Sequence, residues 1–248
     1  MSKPEISLCI LTWNRHKFLE LCLADLLAKL YNKDKAEIIV IDNGSTDGTQ
    51  EVLNKYRNNS CVHIIRFEKH VGLNAYKKLF GTAKGRIIVD IDDDVLSFPM
   101  HFDKSLINYI DTFTDYGFIA LNVKQDEFTN GAKPDSSHYK EDRRGDKVIE
   151  EGPTGGWCSA FRKKDYRKIK LVFNLTSLSF KRGEDGTLSN LFRKFLKLKS
   201  GIIRSEICFH ASGPYYAKQY GHLDREIEKY EKSNMISFAE DYKSYRNK

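Results

Sequence analysis

Asp92, Asp93 and Asp94 stand in a row shortly after the apolar run Ile87-Ile88-Val89, separated from it by Asp90-Ile91, with Gly85 before the run and Pro99 after the acids. Three adjacent carboxylates repel one another unless a cation or hydrogen-bond donors compensate them. A hard divalent metal that also takes phosphate oxygens is a natural counterion. Taken alone, the triplet reads also as a solvated acidic turn capping the next helix. A second group is Asp42-Asn43-Gly44-Ser45-Thr46-Asp47-Gly48. Here Asp42 and Asn43 pair an acceptor with an amide where a base or ribose edge could be read, and Gly44 lets the backbone come close. The same residues make a good turn and helix N-cap.

These groups need elements that bring them to one place. The run at 87–89 is apolar without alternation, as in a strand buried on both faces, and ligands of open α/β sheets bind at strand carboxyl ends. Strand signals at Ile6 to Leu11, Ile38 to Ile41, Val62 to Phe67 and Ile87 to Ile91 alternate with helical stripes. The first stripe (Leu19, Cys22, Leu23, Leu26, Leu27, Leu30) follows Asn14 as its expected N-cap, the second runs to about Tyr56, and the third spans about Leu73 to Ala83. Alternation of this kind predicts βαβ units and a mostly parallel sheet, so that Thr12, Asp42 and the acids share one edge. Beyond them we expect a helix at Phe102 to Phe113 and a strand at Phe118 to Val123. A long polar loop from Asp126 to Asp146, containing Gly131, reads as a lid. Next come a strand at Gly155 to Phe161, a helix through Leu196 closed by Gly201, a strand ending at His210, and a helical tail from Tyr215.

Composition bounds the setting. The 248 residues are 40% apolar, enough for a real core, and no apolar run approaches the roughly 20 residues of a spanning helix. Five scattered cysteines without C-x-x-C spacing indicate neither a disulfide framework nor a zinc site. The expectation is a cytoplasmic chain. Its net charge of +7 is uneven: from Arg162 to Arg204 thirteen Lys or Arg meet three acids. That segment reads either as a solvated helix face or as a contact for an anionic partner, whether nucleic acid, an acidic lipid surface or a phosphate-bearing substrate.

The ordered motifs resemble the inverting, family 2 glycosyltransferases of GT-A fold. That family's opening Pro-Thr-Tyr-Asn is met by Leu11-Thr12-Trp13-Asn14-Arg15, and its Val-Asp-Asp-Gly-Ser-Thr-Asp-Gly-Thr by Ile41 to Thr49, with Asn43 for the second acid. A Gly seven residues before Asp-x-Asp aligns Gly85 with Asp92 and Asp94. A Gly-Gly before an apolar strand matches Gly155-Gly156-Trp157, a Glu-Asp pair matches Glu184-Asp185, and a late His matches His210. Where the family has Asn-x-Gly and then Arg-Asn, this chain has His70-Val71-Gly72 and then Lys77-Lys78. It lacks the Gln-x-x-Arg-Trp of processive synthases.

The resemblance implies a GT-A domain over residues 1–214, with a nucleotide-binding half at 1–98, an acceptor half at 99–214, and a helical extension at 215–248. It implies transfer of a sugar from a nucleotide-diphosphate sugar to an acceptor hydroxyl. Mn2+ or Mg2+ would sit on Asp94, Asp92 and His210, the last of which reads also as a plain core or surface histidine. Thr12, Asn14, Arg15, Asp42, Asn43, Lys77, Lys78, Asp92 and Asp93 would hold the nucleotide sugar. Asp185 would take the acceptor proton, with Glu184, Gly156 and Trp157 around the acceptor; the two acids also suit a helix cap, and Trp157 suits a core as well as a sugar face. The implied acceptor is a glycan or a lipid-linked molecule of surface polysaccharide or glycolipid synthesis. Contact would be peripheral, at the inner membrane face, and no nucleic acid is expected. A non-catalytic GT-A-like binding module and a sugar-phosphate nucleotidyltransferase are the competing readings.

Overall fold

The computed structural model describes residues 3–129 and 133–247, so Gly131 of the polar loop lies outside the described residues. The chain opens as the sequence predicts, alternating β1 (Ile6–Thr12), α1 (His16–Lys29), β2 (Ala36–Asp42), α2 (Thr49–Asn54), β3 (Val62–Arg66), α3 (Ala75–Thr82) and β4 (Ile87–Asp92). It continues through β5 (Val95–Ser97), α4 (Phe102–Thr112), β6 (Tyr116–Lys124), β7 (Lys140–Arg144), β8 (Lys147–Glu151) and β9 (Cys158–Arg162). Then follow α5 (Lys163–Leu175), α6 (Glu184–Leu196), β10 (Lys199–His210) and three closing helices, α7 (Pro214–Gln219), α8 (Leu223–Lys232) and α9 (Ile236–Ser244).

One sheet runs in the order β3-β2-β1-β4-β9-β6-β10-β8-β7, with β5 pairing β10. Strands β1 to β4 are mutually parallel and β9 runs against β4. Period-2 alternation sends successive β-branched residues to two separate cores. Leu8, Ile10, Ile38, Val40, Ile87 and Val89 pack on one face with residues of α1, α2 and α4. Cys9, Ile39, Ile41, Ile88 and Phe161 pack on the other with α3, α5 and α6. Burial on both faces is why these strands read as unbroken apolar runs. Gly85 is forced by contact: a Cβ there would lie 2.7 Å from the backbone of Ile6 and Ser7, where the chain enters β4 against β1.

Three expectations are corrected. Asn14 does not cap α1; it adopts a left-handed conformation (φ 52°), and its side chain accepts from the Thr46 amide at 2.8 Å. It therefore ties the ends of β1 and β2 together. The polar stretch 126–146 is not one loop, because Lys140–Glu151 folds as the hairpin β7–β8 on the sheet edge, turning at Gly145. Helix α6 ends at Lys197 in a left-handed cap, and Gly201 lies inside β10. The five cysteines are buried and free. No described helix is long and apolar enough to cross a membrane.

Candidate functional site

The parallel register places Thr12 beside Asp42 and Leu11 beside Asp92, so the ends of β1, β2 and β4 share one edge. Above them opens a cleft of about 310 Å³. Strand β4 delivers the acids, and the short β5 then turns back to pair with β10, setting His210 opposite Val95. His210 Nε2 lies 3.0 Å from Asp94 Oδ1 and 3.6 Å from Asp92 Oδ2. One ligand atom each from Asp92, Asp94 and His210 falls within 4.8 Å of the others. Two carboxylates and an imidazole suit a hard to borderline divalent cation. The Asp92 side chain is 31% exposed where it lines the cleft, open to an incoming ligand. The residues therefore fit the metal.

Beside this triad lies a buried charge network. The Arg15 guanidinium reaches Asp93 Oδ1 at 2.6 Å and Asp94 Oδ2 at 2.5 Å, and its Nε stands 3.3 Å from Glu226 of α8. Thr12 donates to Asp93 Oδ2 at 2.7 Å. Glu226 also pairs with Arg225 and Lys229. Burial opposes charge on Asp94, but Arg15 and His210 prevail and hold its carboxyl well below the usual range. Burial likewise works against the His210 imidazolium, and Asp94 outweighs it, raising the pKa.

A second set of acids faces α6 without such compensation. Asp90 is 0% exposed and neither carboxyl oxygen has a hydrogen-bond partner. Burial, then Glu184, Asp92 and Asp185, push its carboxyl well above the ordinary range. Glu184 shifts the same way through burial and then Asp185 and Asp92. Asp92 is pushed up to about 7, by burial and the neighbouring carboxylates against the pull of His210. Asp185 is raised by burial, partly offset because Gly156 and Gly186 donate backbone amides to it at 3.1 and 2.6 Å. Gly156 is small by necessity: a Cβ there would meet Glu184 Oε1 at 3.2 Å and Asp90 Oδ2 at 3.4 Å. An acid of raised pKa lining a cleft is equipped to accept a proton.

Thr12, Arg15, Asn43, Asp92, Asp93, Asp94, Glu184, Asp185 and His210 all line the cleft. Several candidates lie away from it or have their polar atoms otherwise engaged. Lys77 and Lys78 sit on α3, whose Tyr76 faces the cleft instead, one helical step round. Asp42 is buried beneath the turn, accepting from the Ser45 amide at 2.9 Å. Asn43 uses its amide on the backbone, donating to Gly72 O and accepting from Val71 N, both at 3.0 Å. That loop passes so close that a Cβ on Gly44 would lie 2.7 Å from the backbone at Lys69 and His70. Trp157 is a core residue, 3% exposed, donating to Leu121 O at 2.9 Å, and so offers no sugar-stacking face.

The tail supplies what the sequence reading missed. Arg225, Glu226, Lys229, Tyr230 and Tyr242 complete the cleft wall. Helix α8 is anchored by Arg225, which donates to Trp13 O at 3.1 Å and lies over the Trp13 ring, whose centroid is also 4.0 Å from that of His70. Arg225, Glu226 and Lys229 form an i, i+1, i+4 pattern, a signal of a charged helix face but not of where that face docks.

EpsH of Bacillus subtilis (strain 168) is 22% identical over 246 residues, 94% of this chain and 65% of its own length. Among solved structures, S. aureus TarS 1–349 in complex with UDP-GlcNAc superposes with a TM-score of 0.64 at 16% identity, covering 86% of this chain and 60% of that one. The mannosyltransferase PcManGT from Pyrobaculum calidifontis, in complex with GDP-Man and Mn2+, gives 0.63 at 16%, covering 92% and 65%. The chain spans less than two thirds of the length of each of these proteins. At such identities the likeness is one of fold: a mostly parallel sheet flanked by helices in the GT-A manner. The family model described as Glycosyl transferase family 2 matches residues 7–170, from β1 into α5, and the chain belongs to that family.

Proposed function

We propose that the chain moves a sugar from a nucleotide-diphosphate sugar to an acceptor hydroxyl with inversion, assisted by Mn2+ or Mg2+, in surface polysaccharide or glycolipid synthesis. The observation that carries this reading is the meeting of Asp92, Asp94 and His210 in the same cleft as Asp185. Residues 1–98 would serve the nucleotide, 99–214 the acceptor, and 215–248 would close the cleft from above. The neighbours bound to UDP-GlcNAc, and to GDP-Man with Mn2+, support donors of this class.

Asp92, Asp94 and His210 would hold the metal, which when bound neutralises diphosphate oxygens as a Lewis acid. Arg15, Arg225 and Lys229 line the same cleft and add positive charge where the leaving group departs. Asp185 takes the proton of the acceptor hydroxyl, its basicity increased by burial, while the Gly156 and Gly186 amides fix its orientation. Glu184 lies behind it, buried and biased toward the neutral acid, and so does not compete for that proton. The acceptor would be glycan or lipid-linked, met in the cytoplasm at the inner membrane face.

Thermal unfolding with a panel of UDP, GDP and dTDP sugars, with and without manganese, tests the reading. Stabilisation should require nucleotide and metal together. A chain indifferent to every pairing would not be a metal-assisted transferase of these donors.

A further inference from the structure

Helix α5 buries Tyr166, Ile169 and Phe173 against the core. At 100° per residue, Leu171 and Leu175 fall on the opposite side, one turn apart. They are 73% and 79% exposed. Lys164 and Arg167 share that outer side, Lys170 flanks it, and Lys181 and Arg182 follow in the connection to α6; all five are exposed. Among the described residues, no carboxylate pairs with any of these five cations. Several other basic residues of the segment are engaged, while Arg193, Lys194 and Lys197 at the far end of α6 are exposed and have no carboxylate partner among the described residues. Arg162 is buried on Asp165 and the carbonyls of Ile110, Thr114 and Tyr116, while Lys199 and Arg204 pair with acids of the β7–β8 edge. A large part of the local charge excess thus lies around two exposed leucines.

We propose that this face of α5 docks on an anionic lipid bilayer, the leucines entering the headgroup boundary and the five cations meeting lipid phosphates. Exposed leucines ringed by free cations match the chemistry of such a surface on both counts. A nucleic acid would use the charge but gain nothing from the leucines. A second copy of the chain would use the leucines but set like charges against each other. The location also serves the cleft. Strand β9 runs away from the site, so α5 returns toward it. Five residues past Leu175, Phe180 already lines the cleft, and Leu178 N reaches Asn74 Oδ1 at 3.4 Å beside the Gly72 turn. A lipid-linked acceptor would therefore emerge from the bilayer next to Asp185. That last step rests on the transferase reading above, whereas the docking itself does not.

Co-sedimentation of the full chain with vesicles tests the docking. Binding to phosphatidylcholine mixed with phosphatidylglycerol should exceed binding to phosphatidylcholine alone by about tenfold or more, and should weaken as salt rises. Leu171→Gln with Leu175→Gln should lower binding about tenfold, and Lys164→Gln with Arg167→Gln should make binding measurably less sensitive to salt, both at unchanged melting temperature. Wild-type protein that ignores anionic vesicles, or a leucine pair variant that binds like wild type, overturns the proposal. So does a solution dimer that the leucine variant dissolves, since the face would then belong to a second copy. Donor stabilisation measured without vesicles separates the two claims: its loss with intact vesicle binding defeats the transferase reading alone, and the reverse defeats the docking alone.

Discussion

Two groups of acids around the same sheet edge have opposite electrostatic fates. Asp94 is buried and held well below the ordinary carboxylate range because Arg15 and His210 both reach it, whereas burial still raises Asp93 against the pull of Arg15 and the contact from Thr12. Asp90 and Glu184 are equally buried and lean strongly toward the neutral acid, because what surrounds them is mostly other carboxyls. All are buried carboxyls; the neighbours differ. Desolvating a bare carboxylate costs several kcal/mol, and an arginine at hydrogen-bond distance recovers that where none is available to Asp90. One sheet edge thus presents fixed negative charge for a cation and, beside it, acids primed to hold protons. Asp92 lies between the two regimes, pushed up to about 7.

The sharpest way to break this contrast is Asp94→Asn, which removes a proposed metal ligand and one of Arg15's partners. Turnover should fall about 10⁴-fold, and metal-dependent stabilisation by donor should vanish in a thermal-shift titration. Asp185→Asn should lower turnover about 10³-fold while calorimetry finds donor affinity unchanged; loss of both would reduce Asp185 to a structural cap. In the wild type, the acid limb of kcat/KM should lie above the ordinary carboxylate range, following the raised pKa of Asp185.

Smaller effects refine the comparison through stability. Glu226 is ionised on the compensated side, where burial is outweighed by Arg225, Lys229 and Arg15. Glu226→Gln should cost about 1–3 kcal/mol in urea unfolding at neutral pH. The matching change on the uncompensated side, Asp90→Asn, should fall within about 1 kcal/mol of zero or stabilise, because a neutral amide replaces a neutral acid. The pH profiles carry the sign. A carboxyl raised on folding stabilises below its unfolded pKa of about 3.9, and that contribution is lost as pH rises through the folded value. The wild-type advantage over Asp90→Asn should therefore shrink with rising pH. Asp94 is depressed on folding, so its advantage over Asp94→Asn is present above about 3.9 and should shrink toward acid.

Much of this is legible in the chain. Unbroken runs such as Ile38 to Ile41 announce strands covered on both sides, and parallel strands must bring their carboxyl ends together. Thr12, the acids and the turn after β2 therefore fall on one edge by the order of the runs alone. Asp90 is recognisable as a residue inside the strand, but its protonation depends on Glu184, far away in sequence, and no local pattern foretells it. Trp157 and Lys77 show the limit of motif position: a residue can sit at the expected distance from a glycine or a strand and still point to the core or to solvent, because a one-residue phase decides its face. The hairpin β7–β8 is hidden because its strands are largely charged and half exposed. Nothing local marks α8 as the helix that folds back onto Arg15, since tertiary contacts alone decide where a charged amphipathic helix lands.

The Trp13 indole stacks on the His70 ring and carries the Arg225 guanidinium over its own ring. A planar ring that is to take the place of Arg225 on this indole must first displace it, and Arg225 belongs to the helix that closes the cleft. Affinity for such a ring is then multiplied by the fraction of molecules in which the face is bare, so a tail closed nine-tenths of the time would weaken it about tenfold. The C-terminal helices would act in this way as a thermodynamic gate. Substitutions in their small core of Ala217, Leu223, Ile227 and Tyr242, far from any reacting atom, would adjust how tightly the cleft holds its ligand.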